Sequence, residues 1–394
     1  MIAVQRFDSE AINEAIESVS KTGGVVHVPR GTYIIRNPVI LPSMVSLVGD
    51  GAGTILRLAA YTNCNLIESV DFPHLTGTGK WAVREGVPHS FGVSNLRIDG
   101  NKSLNGRGSG IAFYGKGYTV DSVIIHDCAE YGMYSECGAR IGQRDWRDMP
   151  ETRIDFVKIR DCNKHGLLYR GPHNGSIGEI ESAYNGDWGA EFDHDHSPGA
   201  GYDGNVSRIT LLHTYANANH KGIRINAIVT ATDLIGDGDN IEIVDSACRI
   251  GMLKVINAGG MRDGLRLEGS NTTIGQVDIS MHERSVNMDA CVITGEGNII
   301  QSGILKGNKH KNDGLSVLGR KNIVKSMRIE QFRDGGIGFL MEGVRNQAEV
   351  QITSCDQALC VKNTSKCKLV ADVYVSDDQR VGVYPEGQDY QVSF

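Results

Sequence analysis

Glu191, Asp193 and Asp195 are the residues whose type and spacing could support catalysis most directly, because they occupy alternate positions along the chain. Alternate side chains of a β-strand point to the same side, about 6.7 Å apart. Two carboxyl groups separated by roughly 6.5–9.5 Å suit an inverting glycosidase, in which one protonates the leaving oxygen and the other activates a water. Repulsion between them raises one pKa, as the acid requires. We therefore predict Glu191 and Asp193 as acid and base, with Asp195 as the substitute for either.

Side chains that could bind a sugar polymer lie near these acids. Guanidinium groups pair with acidic sugars, and an indole stacks on a sugar ring. The predicted substrate-binding residues are Glu136, Arg140, Arg170, Trp188, His194, His196, Tyr202 and Arg224. Each residue type also has a structural alternative. Glu and Arg on neighbouring strands form a salt-bridge ladder, histidines lie on a loop surface, and an indole packs against the core.

Elimination or epimerisation of a uronate-containing glycan is a second interpretation of the same residues. That chemistry needs a Tyr, His or Lys base and an Arg or a metal that neutralises the uronate carboxylate. The residues that could supply these groups are Arg170, Arg224, His194, His196 and Tyr202. Asp193, Asp195 and Asp203 could also hold Ca²⁺, although their spacing is not that of an EF-hand loop. We assign no metal site and expect that no cofactor is required.

A short repeat must position these residues. Each copy follows a polar turn, begins with Gly or Ala, and continues with alternating apolar residues. Clear copies start at Gly110, Gly132, Gly166, Gly189, Gly222, Gly264, Gly314 and Gly336, and weaker ones at Asn240, Ala290 and Ala358. Most intervals are about 22–26 residues, which suits one turn of a parallel β-helix that buries its apolar face against neighbouring turns. The spaced leucines and asparagine ladder of leucine-rich repeats are not evident.

The repeat and its flanks predict an all-β fold, a single-stranded right-handed parallel β-helix of about a dozen turns. We expect one domain, 1–394. Residues 1–35 would form an amphipathic capping α-helix, at about 10–20, and the first strand, since a solenoid needs a covered end. Residues 36–385 would form the turns and 386–394 the tail.

Two intervals, those after Gly132 and Gly189, are about 11 residues longer than the others. Extra residues leave a solenoid as loops, commonly on the binding face. We therefore predict loop insertions near 137–150 and 193–204 that form two walls of one groove. Alternation predicts two outward columns of side chains, which are Tyr134, Leu168, Glu191, Arg224 and Arg266, and Tyr114, Glu136, Arg170, Asp193, Asn226 and Glu268.

Composition excludes several classes of protein. The 394 residues include 49 glycines, 22% are charged, and the net charge is −7. No apolar run is long enough to span a membrane, and the mild negative charge disfavours a nucleic-acid partner. The amino terminus lacks the basic-then-apolar order of a secretory signal. The nine cysteines form no C-x-x-C pair, so we expect reduced, buried thiols.

Several motifs resemble one family. The capped helix is followed by Gly-Gly-Val-Val-x-Val-Pro-x-Gly-Thr-Tyr at 23–33, and further matching segments lie at 91–101, 108–111 and 114–116. Together they resemble the pectate-lyase superfamily of right-handed β-helix proteins, in particular the bacteriophage tailspike and polysaccharide depolymerase proteins. The resemblance covers about 5–135 by motif and the remainder by repeat pattern.

The resemblance implies a bacterial surface or extracellular polysaccharide as the partner and a homotrimer as the assembly. It places the protein in a phage virion acting outside the cell, with a secreted bacterial protein as the alternative. Members of the superfamily include hydrolases, lyases, epimerases and binders. We expect a polysaccharide-degrading enzyme that hydrolyses glycosidic bonds. The alternatives are a lyase or epimerase acting on uronates, and a non-catalytic glycan-binding spike protein.

Overall fold

The computed structural model describes residues 1–76, 87–137, 151–194, 204–283, 288–310, 312–333, 335–374 and 389–393. The chain divides into two compact units, Met1–Leu212 and His213–Phe394. Each unit is built from parallel β-strands wound into successive turns, which confirms the right-handed parallel β-helix predicted from the repeat. The single-domain layout stays a prediction. No helix in the described ranges has the length and apolar character needed to cross a membrane.

An amphipathic helix, α1 (Ser9–Ser20), packs against the first strands of the first unit, as predicted. Asp8 is its N-cap and accepts a hydrogen bond from the Ala11 N–H at 2.8 Å. This bond satisfies one of the amide groups that a helix start leaves without a partner. The apolar face of the helix is buried and consists of Ala11, Ile12, Ala15, Ile16 and Val19.

The first unit contains two sheets of parallel strands. In chain order the strands are β1 (Ile2–Ala3), β2 (Gly24–Val28), β3 (Gly31–Ile35), β4 (Val39–Leu41), β5 (Val45–Gly49), β6 (Thr54–Leu58), β7 (Ile67–Ser69), β8 (Gly92–Asp99), β9 (Ile111–Tyr114), β10 (Thr119–His126), β11 (Met133–Glu136), β12 (Arg153–Arg160), β13 (Leu167–Arg170), β14 (Gly175–Ala183), β15 (Ala190–Phe192) and β16 (Val206–Tyr215). β4, β7, β9, β11, β13 and β15 form the short sheet, and the other strands form the long sheet. A short helix, α2 (Phe72–Leu75), follows β7.

The last three residues of β16, 213–215, belong to the second unit, which repeats this arrangement. Its strands are β17 (Lys221–Ile225), β18 (Val229–Asp237), β19 (Asn240–Ile243), β20 (Arg249–Ala258), β21 (Leu265–Leu267), β22 (Thr273–Met281), β23 (Cys291–Ile293), β24 (Ile299–His310), β25 (Leu315–Val317), β26 (Ile323–Phe332), β27 (Ile337–Val344), β28 (Gln347–Thr353), β29 (Gln357–Ser365), β30 (Lys368–Tyr374) and β31 (Asp389–Ser393). The odd-numbered strands β17–β29 form its short sheet. β31 lies in the region predicted as a tail and pairs in parallel with β30. The weak repeat at Asn240 is a full strand, β19.

The interior of each turn is apolar because inward positions of successive strands stack in register. On β10, β12 and β14, Val123, Val157 and Ile180 face one another and are at most 2% exposed. Burial of apolar surface stabilises a fold by about 25 cal/mol per Å², so each turn depends on its neighbours for stability. None of the nine cysteines forms a disulfide, and seven are buried. This agrees with the expectation of reduced thiols.

Three buried asparagines form a ladder in the second unit. The Asn298 N–H donates to Asn322 Oδ1 at 2.9 Å, and the Asn322 N–H donates to Asn346 Oδ1 at 3.0 Å. Their side-chain amides donate to the carbonyl oxygens of Gly269, Gly295 and Gly319. The ladder satisfies polar groups at the buried corner of each turn. This ladder was not predicted, because the sequence was compared only with the asparagine ladder of leucine-rich repeats.

Candidate functional site

The short sheet of the first unit places two columns of side chains on one face. Tyr134, Leu168 and Glu191 lie in register on β11, β13 and β15, as the repeat predicts. The same column continues through Ala112 of β9 to Glu68 of β7. Glu68 was not predicted. Burial raises its pKa, and a hydrogen bond from Asn65 at 3.0 Å partly offsets that effect.

The second column ends in an ion pair. Glu136 of β11 lies opposite Arg170 of β13, and Asp193 directly follows β15. Arg170 donates from Nε and Nη2 to Asp193 Oδ2 at 3.1 and 3.0 Å. The Asp193 N–H donates to the Tyr169 carbonyl oxygen at 2.9 Å, so the strand pairing continues one residue further. The predicted proximity of Arg170 and Asp193 is confirmed.

Glu136 is the most deeply buried acid of the site, with 1% exposure. It accepts a hydrogen bond from Thr76 Oγ1 at 3.1 Å and another from the Tyr134 hydroxyl. Burial and the adjacent Glu136 carboxylate raise the pKa of Tyr134, so the phenol keeps its proton. Burial lowers the pKa of Arg170, but Tyr134 and Asp193 outweigh that effect and the pKa is raised.

Glu191 pairs with a histidine. His165 Nε2 lies 2.6 Å from Glu191 Oε2, and His165 Nδ1 lies 3.9 Å from Asp187 Oδ2. The His165 ring packs edge-on against Tyr131 at a centroid distance of 5.5 Å. Glu191 and Asp193 are 6% and 5% exposed, so these two predicted catalytic carboxylates are each buried beside a basic side chain. The same arrangement of paired acidic and basic side chains would be found in a purely structural salt-bridge ladder, which is the alternative interpretation of the sequence.

A segment after β7 covers part of this face, which the sequence pattern did not indicate. Phe72 of α2 packs edge-on against Tyr134, with ring centroids 5.9 Å apart. Phe72 also contacts an apolar cluster of Val87, Tyr114 and Cys137. Together with the Thr76 hydrogen bond to Glu136, these contacts build a wall over the outward columns.

The remaining predicted site residues lie in different parts of the structure. Trp188 is 5% exposed, so its indole packs within the fold. His194 is half-buried, directly after Asp193. Arg224 lies in the second unit, 3.8 Å from Glu242 of β19. Arg224 and Arg266 lie in one column, as predicted, and Glu242, which was not predicted, lies between them in register. The residues that fall outside the described ranges are Arg140, Asp195, His196, Tyr202 and Asp203.

Another group of potential metal ligands lies on the long sheet. Ligand atoms of Asp99, His126 and Asp127 lie within 4.8 Å of one another. Asp99 also contacts Arg57 at 3.3 Å, and His126 Nδ1 lies 2.8 Å from Asp127 Oδ2. These residues are therefore already engaged with protein partners and do not belong to the short-sheet columns.

Comparisons with known proteins agree with this architecture. Residues 5–126 match the family model described as rhamnogalacturonase A/epimerase, pectate lyase-like. The A-module of the mannuronan C-5 epimerase AlgE4 from Azotobacter vinelandii is 13% identical, with a TM-score of 0.50 over 100% of this chain and 98% of that one. The amino-terminal fragment of bacteriophage Phi29 gene product 12 is 14% identical, with a TM-score of 0.51 over 93% and 70%.

A third similar structure is the tailspike gp49 of Acinetobacter baumannii bacteriophage Fri1, a capsular polysaccharide depolymerase. It is 12% identical, with a TM-score of 0.41 over 97% of this chain and 62% of that one. No curated protein matches the chain. The segment that matches the family model includes the motifs at 23–33 and 91–101.

Proposed function

We propose that this protein is an enzyme that modifies a bacterial surface or extracellular polysaccharide, and that it hydrolyses glycosidic bonds. The observation that supports the proposal is the pair of outward columns on the first unit's short sheet. There Glu136, Arg170, Glu191 and Asp193 are buried or half-buried and contact one another or Tyr134 and His165. Outward positions of a solenoid need no such acid–base side chains for stability, so their concentration on one face favours chemistry.

In the hydrolytic mechanism, Asp193 is the base and Glu191 the acid. Arg170 fixes the orientation of the Asp193 carboxylate, which accepts a proton from the attacking water. Glu191 donates a proton to the leaving oxygen and regains one through His165, whose Nε2 is within hydrogen-bond distance. Positioned acids and bases of this kind contribute roughly 10²–10⁴-fold each to the rate. Asp195 remains the proposed substitute for either carboxylate.

Elimination or epimerisation of a uronate is the second candidate function, and the Tyr134–Glu136–Arg170 group favours it. A base, here His165, would first remove the proton beside the sugar carboxylate. The protonated Tyr134 phenol would then donate a proton, to the carbon in epimerisation or to the leaving oxygen in elimination, while Arg170 neutralises the carboxylate. The AlgE4 A-module, a mannuronan epimerase, has the same fold. We propose that neither reaction needs a metal or another cofactor.

A screen of the purified chain on capsular polysaccharides, lipopolysaccharides, alginate and pectate tests the proposal. New reducing ends without ultraviolet absorbance of unsaturated sugars would support hydrolysis. New ends with that absorbance would support elimination, and altered uronate composition without cleavage would support epimerisation. Binding without any conversion would overturn the enzymatic proposal in favour of a glycan-binding spike protein.

We further propose that the chain acts in a phage virion as a homotrimer, as its resemblance to tailspike proteins implies. The similarity of its fold to gene product 12 of bacteriophage Phi29 is consistent with this. A secreted bacterial protein remains the alternative. Immunodetection on purified phage particles, compared with culture supernatant from uninfected bacteria, separates the two.

A further inference from the structure

A cavity of about 710 Å³ lies in the second unit and contains none of the residues that the proposed catalytic mechanism uses. Its walls come from the turn 219–221, the loop 260–263, Glu242 of β19, Arg266 of β21 and Met288. Ligand-binding cavities are typically about 300–1,000 Å³ in volume, so this one has the size of a binding site.

Glu242 and Arg266 line this cavity and belong to a row of alternating charges. Arg224, Glu242 and Arg266 lie in register on β17, β19 and β21. The Glu242 Oε1 atom pairs with Arg262 Nη1, and Glu242 Oε2 lies 3.8 Å from Arg224 Nε. Glu242 is thus held between two guanidinium groups and fixes the direction in which Arg262 points.

Asp263 orients the other arginine of the cavity. Arg266 Nη1 lies 3.2 Å from Asp263 Oδ2, and Asp263 Oδ1 accepts the Asp289 N–H at 3.2 Å. Arg266 Nε is also 2.5 Å from Glu268 Oε1. The side chains of Arg262 and Arg266 remain 30% and 40% exposed, so a ligand can reach both.

Among the residues that line the cavity, the cationic Lys221, Arg262 and Arg266 outnumber the two carboxylates, Glu242 and Asp263. Each carboxylate already accepts from an arginine, whereas a guanidinium group has five N–H donors and can bind further acceptors. Oriented arginines recognise planar anions such as carboxylates with two parallel hydrogen bonds. The cavity is therefore suited to an anionic ligand.

One wall of the cavity is fixed by close packing. Gly260 has a φ of +79°, and a Cβ atom at this position would lie 2.2 Å from His220 Cδ2. The ring of His220 is held in turn by a hydrogen bond between Nδ1 and the Gly238 carbonyl oxygen. A wall that is already in place reduces the ordering cost of binding.

We propose that this cavity binds a carboxylate-bearing sugar residue, and that the second unit thereby holds an acidic glycan independently of the catalytic columns. The anionic character of the ligand follows from the cavity itself, whereas its identity as a sugar rests on the proposed function. Arg266 and Arg262 bind the carboxylate, and the exposed side chain of Met261 lies against the sugar ring.

Calorimetric titration of the full chain with a hyaluronan tetrasaccharide, and with its carboxyl methyl ester, tests this proposal. We expect the acid to bind and the ester, which has the same shape without the charge, to bind about tenfold more weakly or worse, a loss of about 1.4 kcal/mol. Arg266→Gln should weaken binding of the acid by a similar factor. Equal affinity for acid and ester would overturn the proposal.

Three further variants keep the test decisive. Met261→Glu changes a side chain that is 84% exposed, so the fold should be unaffected, and the added negative charge should repel the carboxylate and reduce binding. Arg320→Gln removes a surface arginine of the same unit, paired with Glu296 at 2.7 Å, and should bind normally. Arg170→Gln removes the guanidinium group of the catalytic columns and should also bind normally, because Arg170 does not line the cavity. A loss of binding in Arg170→Gln would assign the ligand to the catalytic columns and overturn the inference, whether or not any polymer is cleaved.

Discussion

At the scale of single residues, the basic partner of each carboxylate determines the role that the carboxylate can take. Asp193 receives two N–H donors of Arg170 on one oxygen, whereas Glu191 shares a short contact with a single imidazole nitrogen. A guanidinium group does not give up its proton, whereas an imidazole can pass a proton to a carboxyl group with which it shares a hydrogen bond. This difference supports the proposed roles of Asp193 as the base and Glu191 as the acid.

Asp193→Asn tests the base. The amide keeps the shape of the side chain but cannot accept a proton, so turnover should fall about 10²–10⁴-fold while polymer binding is retained. Initial rates of reducing-end formation measure the effect. Asp372→Asn, which changes an exposed aspartate on β30, is the matched control and should leave turnover unchanged. Full activity in Asp193→Asn would remove this residue from the mechanism.

Tyr134→Phe separates the two candidate reactions. Under hydrolysis the variant loses the hydrogen bonds of a hydroxyl group that transfers no proton, including the one to Glu136, and the rate should fall less than about tenfold. Under elimination or epimerisation the variant loses a proton carrier, and the rate should fall about 10²-fold or more. The control is Tyr374→Phe, at an exposed tyrosine. Since the pKa of Tyr134 is raised, the wild-type rate should not rise with ionisation of a phenol below pH 9.

At the scale of elements, three aspartates mark the starts of successive short strands in the second unit. Asp263, Asp289 and Asp313 precede β21, β23 and β25, and each of the first two accepts the N–H of the next. Burial and then the neighbouring Asp313 and Asp263 raise the pKa of Asp289 from 3.8 to about 6. The folded chain therefore favours the protonated form of this carboxyl group.

This row of aspartates predicts that the stability of the fold decreases as the pH rises towards neutrality. Because the folded-state pKa of Asp289 is raised, its stabilising contribution is complete below about pH 4 and is lost as the pH rises through about 6. Asp289→Asn, which imitates the neutral acid, should raise the free energy of unfolding at pH 7.5 by about 1–3 kcal/mol and have little effect at pH 4. Urea unfolding at both pH values measures this, with Asp372→Asn as control. Equal stability of variant and wild type at pH 7.5 would contradict it.

The asparagine ladder is the second feature of the strands and turns that allows a prediction. Asn322→Ala removes the acceptor of the Asn298 N–H and the donor to the Gly295 carbonyl oxygen, both buried. Two unsatisfied buried groups should cost about 2–5 kcal/mol of stability. Thermal unfolding of Asn322→Ala beside Lys325→Ala, an exposed change on the following strand, measures the difference. A melting temperature equal to that of the control would show that water replaces the ladder.

Part of this organisation could be predicted from the sequence. The spacing of Gly132, Gly166 and Gly189 places Tyr134, Leu168 and Glu191 in one column because alternation and stacking fix which side chains face outward. The contact of Thr76 with Glu136 could not be predicted, since it joins residues 60 positions apart and no periodic signal marks Thr76. Glu242 was not predicted as a column residue because its strand begins at Asn240 without the usual glycine. The alternation of positive and negative charge through Arg224, Glu242 and Arg266 is nevertheless visible in the sequence.

At the scale of the whole molecule, the fold depends on the pattern of inward apolar positions and outward positions more than on the identity of each residue. The AlgE4 A-module aligns over 98% of its length with 13% identity. Inward positions need only apolar side chains of suitable size, and outward positions are free to vary. The function must therefore be argued from the outward side chains.

The assembly is the prediction that belongs to this scale. If the chain acts as the proposed trimer, light scattering of the purified protein should give three times the mass of one chain, independent of concentration in the micromolar range. A single-chain mass with full activity on a polysaccharide would overturn the trimer and leave the enzymatic proposal standing.

The asparagine ladder also constrains how this chain can change length during evolution. Asn298, Asn322 and Asn346 recur every 24 residues, and each one binds the backbone of the preceding turn. An insertion of a few residues between two of them would displace an amide from its partner unless it left the stack as a loop. Loss or duplication of one full 24-residue segment would join equivalent positions and preserve every bond. Whole turns, rather than single residues, are therefore the increments by which this part of the gene can grow or shrink without loss of the fold.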